Sequence, residues 1–260
     1  MTTAQRAVHA EWTKARTVAG PWWLLATVVL GTIGLGAAAT ASIRCSGTDC
    51  HADVVRTSLS GVWLGQAAVA GFAVLLVGSE YSTNQILPTL TAVPRRHLVV
   101  AAKAVTSGLP ALLAGLVGAT GSIMVGRLIL GADHDTAVAA AALSPIDPTV
   151  LQAVGGTALY LGLIALLATG LTTAVRSSAG GIGAVLGVLY LFPMLAAVVT
   201  DRDWVLTLRR ISPSNAGLSV QSTTGASGEA IGPWAGLGVV ALWSAGALLL
   251  GTLILRYRDA

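Results

Sequence analysis

The strongest chemical signal lies in a short segment, residues 78–96, between two apolar stretches. A carboxylate and a phenol open it, and a proline and two arginines close it: Glu80, Tyr81, Pro94, Arg95 and Arg96. A lone carboxylate at the end of an apolar span is costly unless it is paired or hydrated, so we expect a charge-assisted hydrogen bond to a basic group or to helix-end amides. The alternative is ordinary positive-inside anchoring, which explains the arginines but not the carboxylate.

The only two cysteines, Cys45 and Cys50, lie close together in a polar segment. On an oxidising face this spacing can close a small disulfide ring that stiffens the loop. The alternative is a metal site completed by His51 and by Asp49 or Asp53. Nothing else in the sequence supports a zinc site, so the disulfide is the favoured interpretation and no metal is expected.

Catalytic chemistry has few candidates in this chain. The four histidines, His9, His51, His97 and His134, all fall outside the apolar stretches. A membrane protease or an ion-coupled carrier needs ionisable groups at membrane depth, and these stretches have none. The sequence also lacks the glycine-rich P-loop that cradles nucleotide phosphates. The chain is therefore expected to have no catalytic residues and no cofactor, and another chain binds ATP if ATP is used.

The elements that position these residues follow from composition. Of the 260 residues, 54% are hydrophobic and only 10% are charged, and the mean hydropathy is +0.77. A soluble domain carries about 25% charged residues, so a soluble protein is excluded. The net charge of +4 is dispersed between apolar blocks, which argues against a nucleic-acid partner and for membrane topology signals.

Six charge-free stretches are each long enough to cross a bilayer as a helix of about 20 residues. The predicted fold is an all-α integral membrane protein, a single domain over residues 1–260. The predicted spans lie near residues 20–43, 57–79, 98–126, 148–175, 178–200 and 233–255. The third span is predicted to begin near Leu98, before its charge-free run starts at Ala104, with Lys103 snorkelling toward the headgroups. The polar run 211–228 is not a span, and the pairs Gly61/Gly65 and Gly183/Gly187 are typical of close helix approach.

The first sixteen residues predict a short amphipathic helix on the membrane surface. Ala4, Val8, Trp12 and Ala15 recur at helical spacing, and Lys14 and Arg16, with Arg6, supply positive charge. We expect this helix to end near Gly20 and Pro21. The alternative is a frayed polar tail.

Positive charges predict the orientation. Six spans put both termini on one side, and the segments on that side hold nine of the fifteen basic residues with only three acidic ones. The opposite segments hold six basic and eight acidic residues. By the positive-inside rule, both termini are cytoplasmic.

In residues 78–96 the chain resembles the membrane subunits of bacterial exporters of the ABC type-2 permease family. In that family a Glu-Tyr ends the second span, and a Thr-Leu-x-Ala-x-Pro-Arg-Arg run precedes the third. The matching residues are Glu80, Tyr81, Thr89, Leu90, Ala92, Pro94, Arg95 and Arg96. Residues 11–16, 213–217 and 256–259 also agree. The chain departs from the family at residues 84–88, where a basic residue is lost and Pro88 is gained, so an inner-loop helix is expected to end early.

The resemblance implies a membrane-spanning subunit of an ATP-driven exporter in a bacterial plasma membrane. Its partners would be a nucleotide-binding ATPase subunit, which holds ATP and Mg²⁺, and a second permease chain. Glu80, Tyr81, Pro94, Arg95 and Arg96 would couple the chain to the ATPase, and Trp12, Lys14 and Arg16 would belong to the surface helix. The cargo would be hydrophobic or amphiphilic, such as a drug, an antibiotic or a lipid. The alternative is a polytopic immunity or assembly protein that transports nothing.

Overall fold

The computed structural model describes residues 3–17, 19–43, 53–82, 96–132, 137–223 and 231–257. Throughout these ranges the chain forms helices joined by turns, with no strand. In chain order the helices are α1 (Thr3–Thr17), α2 (Ala19–Ala41), α3 (Val54–Ser58), α4 (Val62–Ser82), α5 (Arg96–Gly131), α6 (Ala137–Ala142), α7 (Pro148–Val175), α8 (Ser178–Val198), α9 (Arg202–Ile211), α10 (Pro213–Leu218) and α11 (Pro233–Tyr257); a 3₁₀ turn covers Ser219–Gln221.

The all-α membrane fold is confirmed. In the described residues six helices, α2, α4, α5, α7, α8 and α11, are long and apolar enough to cross a bilayer. The fourth span was predicted over 148–175 as the charge-free run between Asp147 and Arg176, and α7 has the same bounds. Asp147 caps α7, accepting a hydrogen bond from the Thr149 amide, and Pro148 occupies the first turn. At its other end Arg176 adopts the left-handed conformation, with φ of 58°, and stops the helix.

The bounds of two helices differ from those of the predicted spans. The second span was predicted from residue 57, but α3 ends at Ser58 and α4 begins at Val62. The break lies where Gly61 meets α2 so closely that a Cβ there would lie 2.7 Å from the Thr32 carbonyl oxygen. The third span was predicted over 98–126, but α5 runs from Arg96 to Gly131, because a helix carrying polar end residues can extend beyond the hydrocarbon layer. Smaller differences shorten the first and fifth spans to residues 41 and 198 and extend the sixth to 257.

The core of the bundle is built around α7, and 67% of the residues in the most apolar part of this helix are buried. It packs against α4, α5, α8 and α11. The approach of α7 to α11 depends on small residues, because a Cβ at Gly170 would lie 2.7 Å from the Ala247 carbonyl oxygen. Gly251 repeats the pattern, lying equally close to the Gly170 carbonyl oxygen. Such close approach is how apolar helices associate in lipid, where hydrophobic burial between helices gives little.

The two predicted small-residue pairs have different outcomes. Gly61 and Gly65 face Thr32 on α2, as expected for close approach. Gly183 and Gly187 on α8 are open instead, since a Cβ added at either would meet no atom within 4 Å. These two glycines therefore form no close helix contact within the described part of the chain.

In the described residues 199–223, between α8 and the sixth span, no helix is long and apolar enough to span, and short helices form instead. The amphipathic α9 has no buried residue, whereas α10 and the 3₁₀ turn are largely buried against α7, α8 and α11. The Gln221 amide donates to Thr157 Oγ1 at 3.1 Å, and Ser214 Oγ donates to the Leu189 carbonyl. These bonds satisfy polar groups that would otherwise be buried without partners.

Candidate functional site

Four charged side chains meet where α1 crosses the ends of two spanning helices. Glu80 lies in the last turn of α4, and Lys103 lies in the second turn of α5. Glu11 and Lys14 are one turn apart on α1. We call these four residues the charge ring.

The charge ring is closed, with lysine and carboxylate alternating. Lys103 Nζ lies 3.0 Å from Glu11 Oε2 and 2.7 Å from Glu80 Oε2. Lys14 Nζ lies 3.4 Å from Glu11 Oε1 and 3.2 Å from Glu80 Oε1. The contact between Lys103 and Glu80 is an ion pair with poor hydrogen-bond geometry, since Glu80 Oε2 has no directed partner. The ring therefore joins three helices by charge as well as by packing.

Burial makes the charge ring costly to disrupt. Glu11, Glu80 and Lys103 are 8%, 5% and 3% exposed. Taking single charges out of water costs several kcal/mol each, and that cost is offset only by close partners of opposite sign. The ring is neutral as a whole, so each charge has its counter-charge. Removing one member leaves a buried charge uncompensated, which typically costs about 3–5 kcal/mol.

Lys14 is the member at the rim, with 43% of its side chain exposed. Burial by itself lowers the pKa of Lys14. The carboxylates of Glu11 and Glu80 outweigh that effect, and the pKa of Lys14 is raised above its ordinary value of 10.5. Lys14 is therefore charged at every physiological pH.

Two tryptophans hold α1 in place beside the charge ring. The rings of Trp12 and Trp22 meet edge to face with centroids 5.9 Å apart, a favoured aromatic geometry. Trp22 Nε1 donates to the Ala15 carbonyl at 2.7 Å, and Ala15 is buried. The helix predicted at the start of the chain is present as α1, although it ends at Thr17 and not near Gly20 and Pro21; its location on the membrane surface stays a prediction. Arg16 is exposed at its end.

The prediction for Lys103 was wrong. It was expected to snorkel toward the headgroups, but it points into the bundle and is almost fully buried, because two carboxylates are placed to receive it. The expectation that Glu80 is held by a basic group is met by lysines of two other helices. Pro94, Arg95, Cys45 and Cys50 lie outside the described residues, and Arg96 is described only as the first residue of α5. Their predicted roles, the disulfide included, stay predictions.

Tyr81, the remaining predicted coupling residue, is partly buried at the end of α4. The Arg176 guanidinium acts electrostatically on the Tyr81 phenol. Arg176 also donates from Nη2 to the Ile254 carbonyl at 3.4 Å, so it links the end of α7 to the end of α11. Arg176 was not singled out from the sequence as a site residue.

Sequence reasoning also missed Glu11 and Lys103 as site residues. A signal was present, because Glu11 shares a helix face with Val8 and Ala15, where a carboxylate is out of place. It is also one of only three acidic residues on the basic side of the chain. What the sequence did not contain was the pairing, since Glu11 and Lys103 are 92 positions apart.

The charge ring leaves neither of its carboxylates without a cationic partner. Each carboxylate is neutralised by two lysines, which removes the free base or proton carrier that acid–base chemistry needs. Within the described residues, no three His, Cys, Asp or Glu side chains are grouped to hold a metal ion. No protein-family model matches the chain, and no curated protein shows significant similarity to it.

Proposed function

We propose that the chain is the membrane-spanning subunit of an ATP-binding-cassette exporter in a bacterial plasma membrane, with both termini cytoplasmic. The residue pattern around Glu80 and Arg95, which resembles the ABC type-2 permeases, is one support. The six apolar helices and the excess of basic residues on the α1 side are another.

The observation that carries the proposal is the charge ring. A cytoplasmic ATPase subunit would dock on the α1 side, against α1 and the segment that follows α4. On α1, Lys14 is ion-paired to Glu80 of α4, and Glu11 is ion-paired to Lys103 of α5. A displacement of α1 would therefore also pull on α4 and α5. ATP-driven closure of the partner would therefore be transmitted to two spanning helices. Two copies of such a bundle, or this chain with a related one, would rock between inward-open and outward-open states.

The proposed cargo is hydrophobic or amphiphilic. Charged side chains of the six described spans are confined to the end regions of the helices: Glu80, Arg96, Lys103, Arg127 and Arg256. A coupling ion would require ionisable groups near the membrane midplane, so the energy is assigned to ATP on the partner subunit. Small apolar residues along the spans suit a neutral or lipid-like cargo.

The test is co-expression of the chain with an ATP-binding-cassette ATPase subunit, chosen as the one encoded beside its gene if such a gene adjoins it. We expect a stable detergent-solubilised complex whose ATPase rate, after reconstitution into vesicles, rises when a transported amphiphile is added. A Walker-lysine variant of the ATPase subunit provides the control, since it should assemble without transporting. A chain that inserts and folds but neither binds an ATPase subunit nor changes its rate would be an immunity or assembly protein instead.

A further inference from the structure

An apolar groove runs along the bundle surface beside the charge ring. It lies between α1, α2 and α5 and has a volume of about 310 Å³, within the range of small-molecule sites. Trp12 and Trp22 form one end, and Ala26, Leu109 and Leu113 line its length. The two leucines are 52% and 51% exposed, so the groove opens sideways, away from the bundle axis.

The groove has the direction of a lipid chain. On α2 its lining runs from Trp22 to Val29, which is about 10 Å along the helix axis at about 1.5 Å per residue. It begins at Trp12 of the surface helix and continues toward the membrane interior along two spanning helices. An acyl chain in the leaflet nearest α1 has the same depth and orientation.

The exposed charges of α1, which borders the groove, have one sign. The acidic residue of α1, Glu11, is buried and neutralised within the charge ring. The charged residues that α1 exposes are Arg6, Lys14 and Arg16, all of them basic. Lys14 is matched by the ring, which leaves the arginines to attract an anion from outside the protein.

Arg16 is the exposed arginine of α1 that helical spacing places on the same face as Trp12, which lines the groove. It lies four residues after Trp12, so the two share a face of α1. Long side chains on a helix lean back toward its N-terminus, which brings the exposed guanidinium of Arg16 over the turn that carries Trp12. A guanidinium at this place can bind a phosphate with two parallel hydrogen bonds.

We propose that this groove holds one acyl chain of an anionic phospholipid whose phosphate is bound by Arg16. The apolar lining accommodates the chain, and the exposed charges of α1, all of them basic, select an anionic headgroup. The bound lipid covers the outer faces of Trp12 and Trp22 and so holds α1 against the bundle. The proposal depends on membrane insertion and not on the proposed transport function.

The test uses the full chain purified in mild detergent and offered phosphatidylglycerol or phosphatidylcholine with identical acyl chains, with retained lipid counted by native mass spectrometry. We expect wild type to prefer phosphatidylglycerol by about fivefold, the contribution of one basic residue near a membrane surface. Arg16→Gln should abolish the preference, and Ala26→Phe, which fills the groove, should lower retention of both lipids. The matched controls are Arg127→Gln at the far end of α5 and Ala38→Phe on the far half of α2, and both should behave as wild type.

Equal retention of the two lipids by wild type would overturn the proposal, since it would mark ordinary annular lipid. A preference that survives Arg16→Gln, or that is lost equally in Arg127→Gln, would also overturn it, since the headgroup would then bind elsewhere. If Ala26→Phe fails to fold, Leu113→Trp fills the same groove from an exposed position and gives the same readout. Unchanged lipid retention in a folded groove-filling variant would contradict the assigned location.

Discussion

Lys103 Nζ lies 3.0 Å from Glu11 Oε2, although 92 positions separate the two residues along the chain. This ion pair joins the surface helix α1 to the start of α5, and the ring that it completes also includes the end of α4. The contact is nearly dry, with the Lys103 side chain 4% exposed and that of Glu11 9% exposed. The proposed coupling of α1 to α4 and α5 depends on the ion pairs of this ring.

The first prediction is energetic coupling between Glu11 and Lys103. Either Glu11→Ala or Lys103→Met alone should lower the free energy of unfolding in detergent by about 3–5 kcal/mol, because a buried charge is left uncompensated. The double variant should be more stable than the sum of the two losses predicts, by about 1–3 kcal/mol. The control pair is Lys103→Met with Asp203→Asn on the exposed helix α9, which should be additive. Additivity in the first pair would contradict a shared ring.

The second prediction concerns Glu80 and the proposed export function. Glu80→Ala should leave the chain inserted and able to bind the proposed ATPase subunit, because the proposed docking surface itself is intact. Transport should fall while ATP hydrolysis continues, because α4 is released from α1. Vesicle transport and ATPase rate are measured in the same preparation, with Asp203→Asn as the control. If the Glu80→Ala variant transports at the wild-type rate with unchanged ATPase stimulation, Glu80 has no coupling role and only lies at the end of a span.

The third prediction compares two glycines on spanning helices. Gly170→Ala places a methyl group 2.7 Å from the Ala247 carbonyl oxygen, so α7 and α11 must move apart, at a cost of about 1–3 kcal/mol. Gly183→Ala is the matched control, because the same methyl group meets nothing within 4 Å. That variant should be neutral or gain up to about 1 kcal/mol of helix propensity. Thermal unfolding of both in detergent makes the comparison, and equal Tm values would argue against the close α7–α11 contact.

The fourth prediction tests topology. In a background with Cys45 and Cys50 replaced by Ser, a cysteine at Thr13 should not react with an impermeant thiol reagent in intact cells. A cysteine at Thr207 should react. Both positions are exposed at the protein surface, on α1 and α9 respectively, so burial does not explain a difference. Labelling at Thr13 without permeabilisation would reverse the cytoplasmic assignment of the termini and remove the basis of the coupling proposal.

The fifth prediction follows from the raised pKa of Lys14. The folded-state pKa lies above the ordinary 10.5 because of Glu11 and Glu80. The stabilisation is therefore fully present below pH 10.5 and is lost as the pH rises through the raised value. The Tm advantage of wild type over Lys14→Met should be constant between about pH 8 and about pH 10 and shrink above that range. An advantage that already declines near about pH 8 would show that Lys14 does not titrate as a ring member.

Much of the fold could be predicted from the sequence because lipid imposes simple rules on it. A helix that crosses a bilayer needs about 20 apolar residues, and six such runs appear without ambiguity. The ends were predicted well where local chemistry defines them, as at Asp147 and Pro148, which begin α7. They were predicted less well where another helix intervenes, as at Gly61, where the contact with Thr32 on α2 separates α3 from α4.

The charge ring could be predicted only in part. The sequence determined that Glu80 sits at the end of a span and needs a partner, because a lone carboxylate is costly there. Only the tertiary structure decided that the partners are Lys103 and Lys14 and that Glu11 completes the ring. The physical reason is that span composition and capping act over a few residues of chain, whereas ion pairing depends on which helix ends meet in space. Which helix ends meet depends on close contacts at small residues of distant helices. Small residues also occur at many positions that make no such contact, so the sequence alone does not show which of them bring helices together.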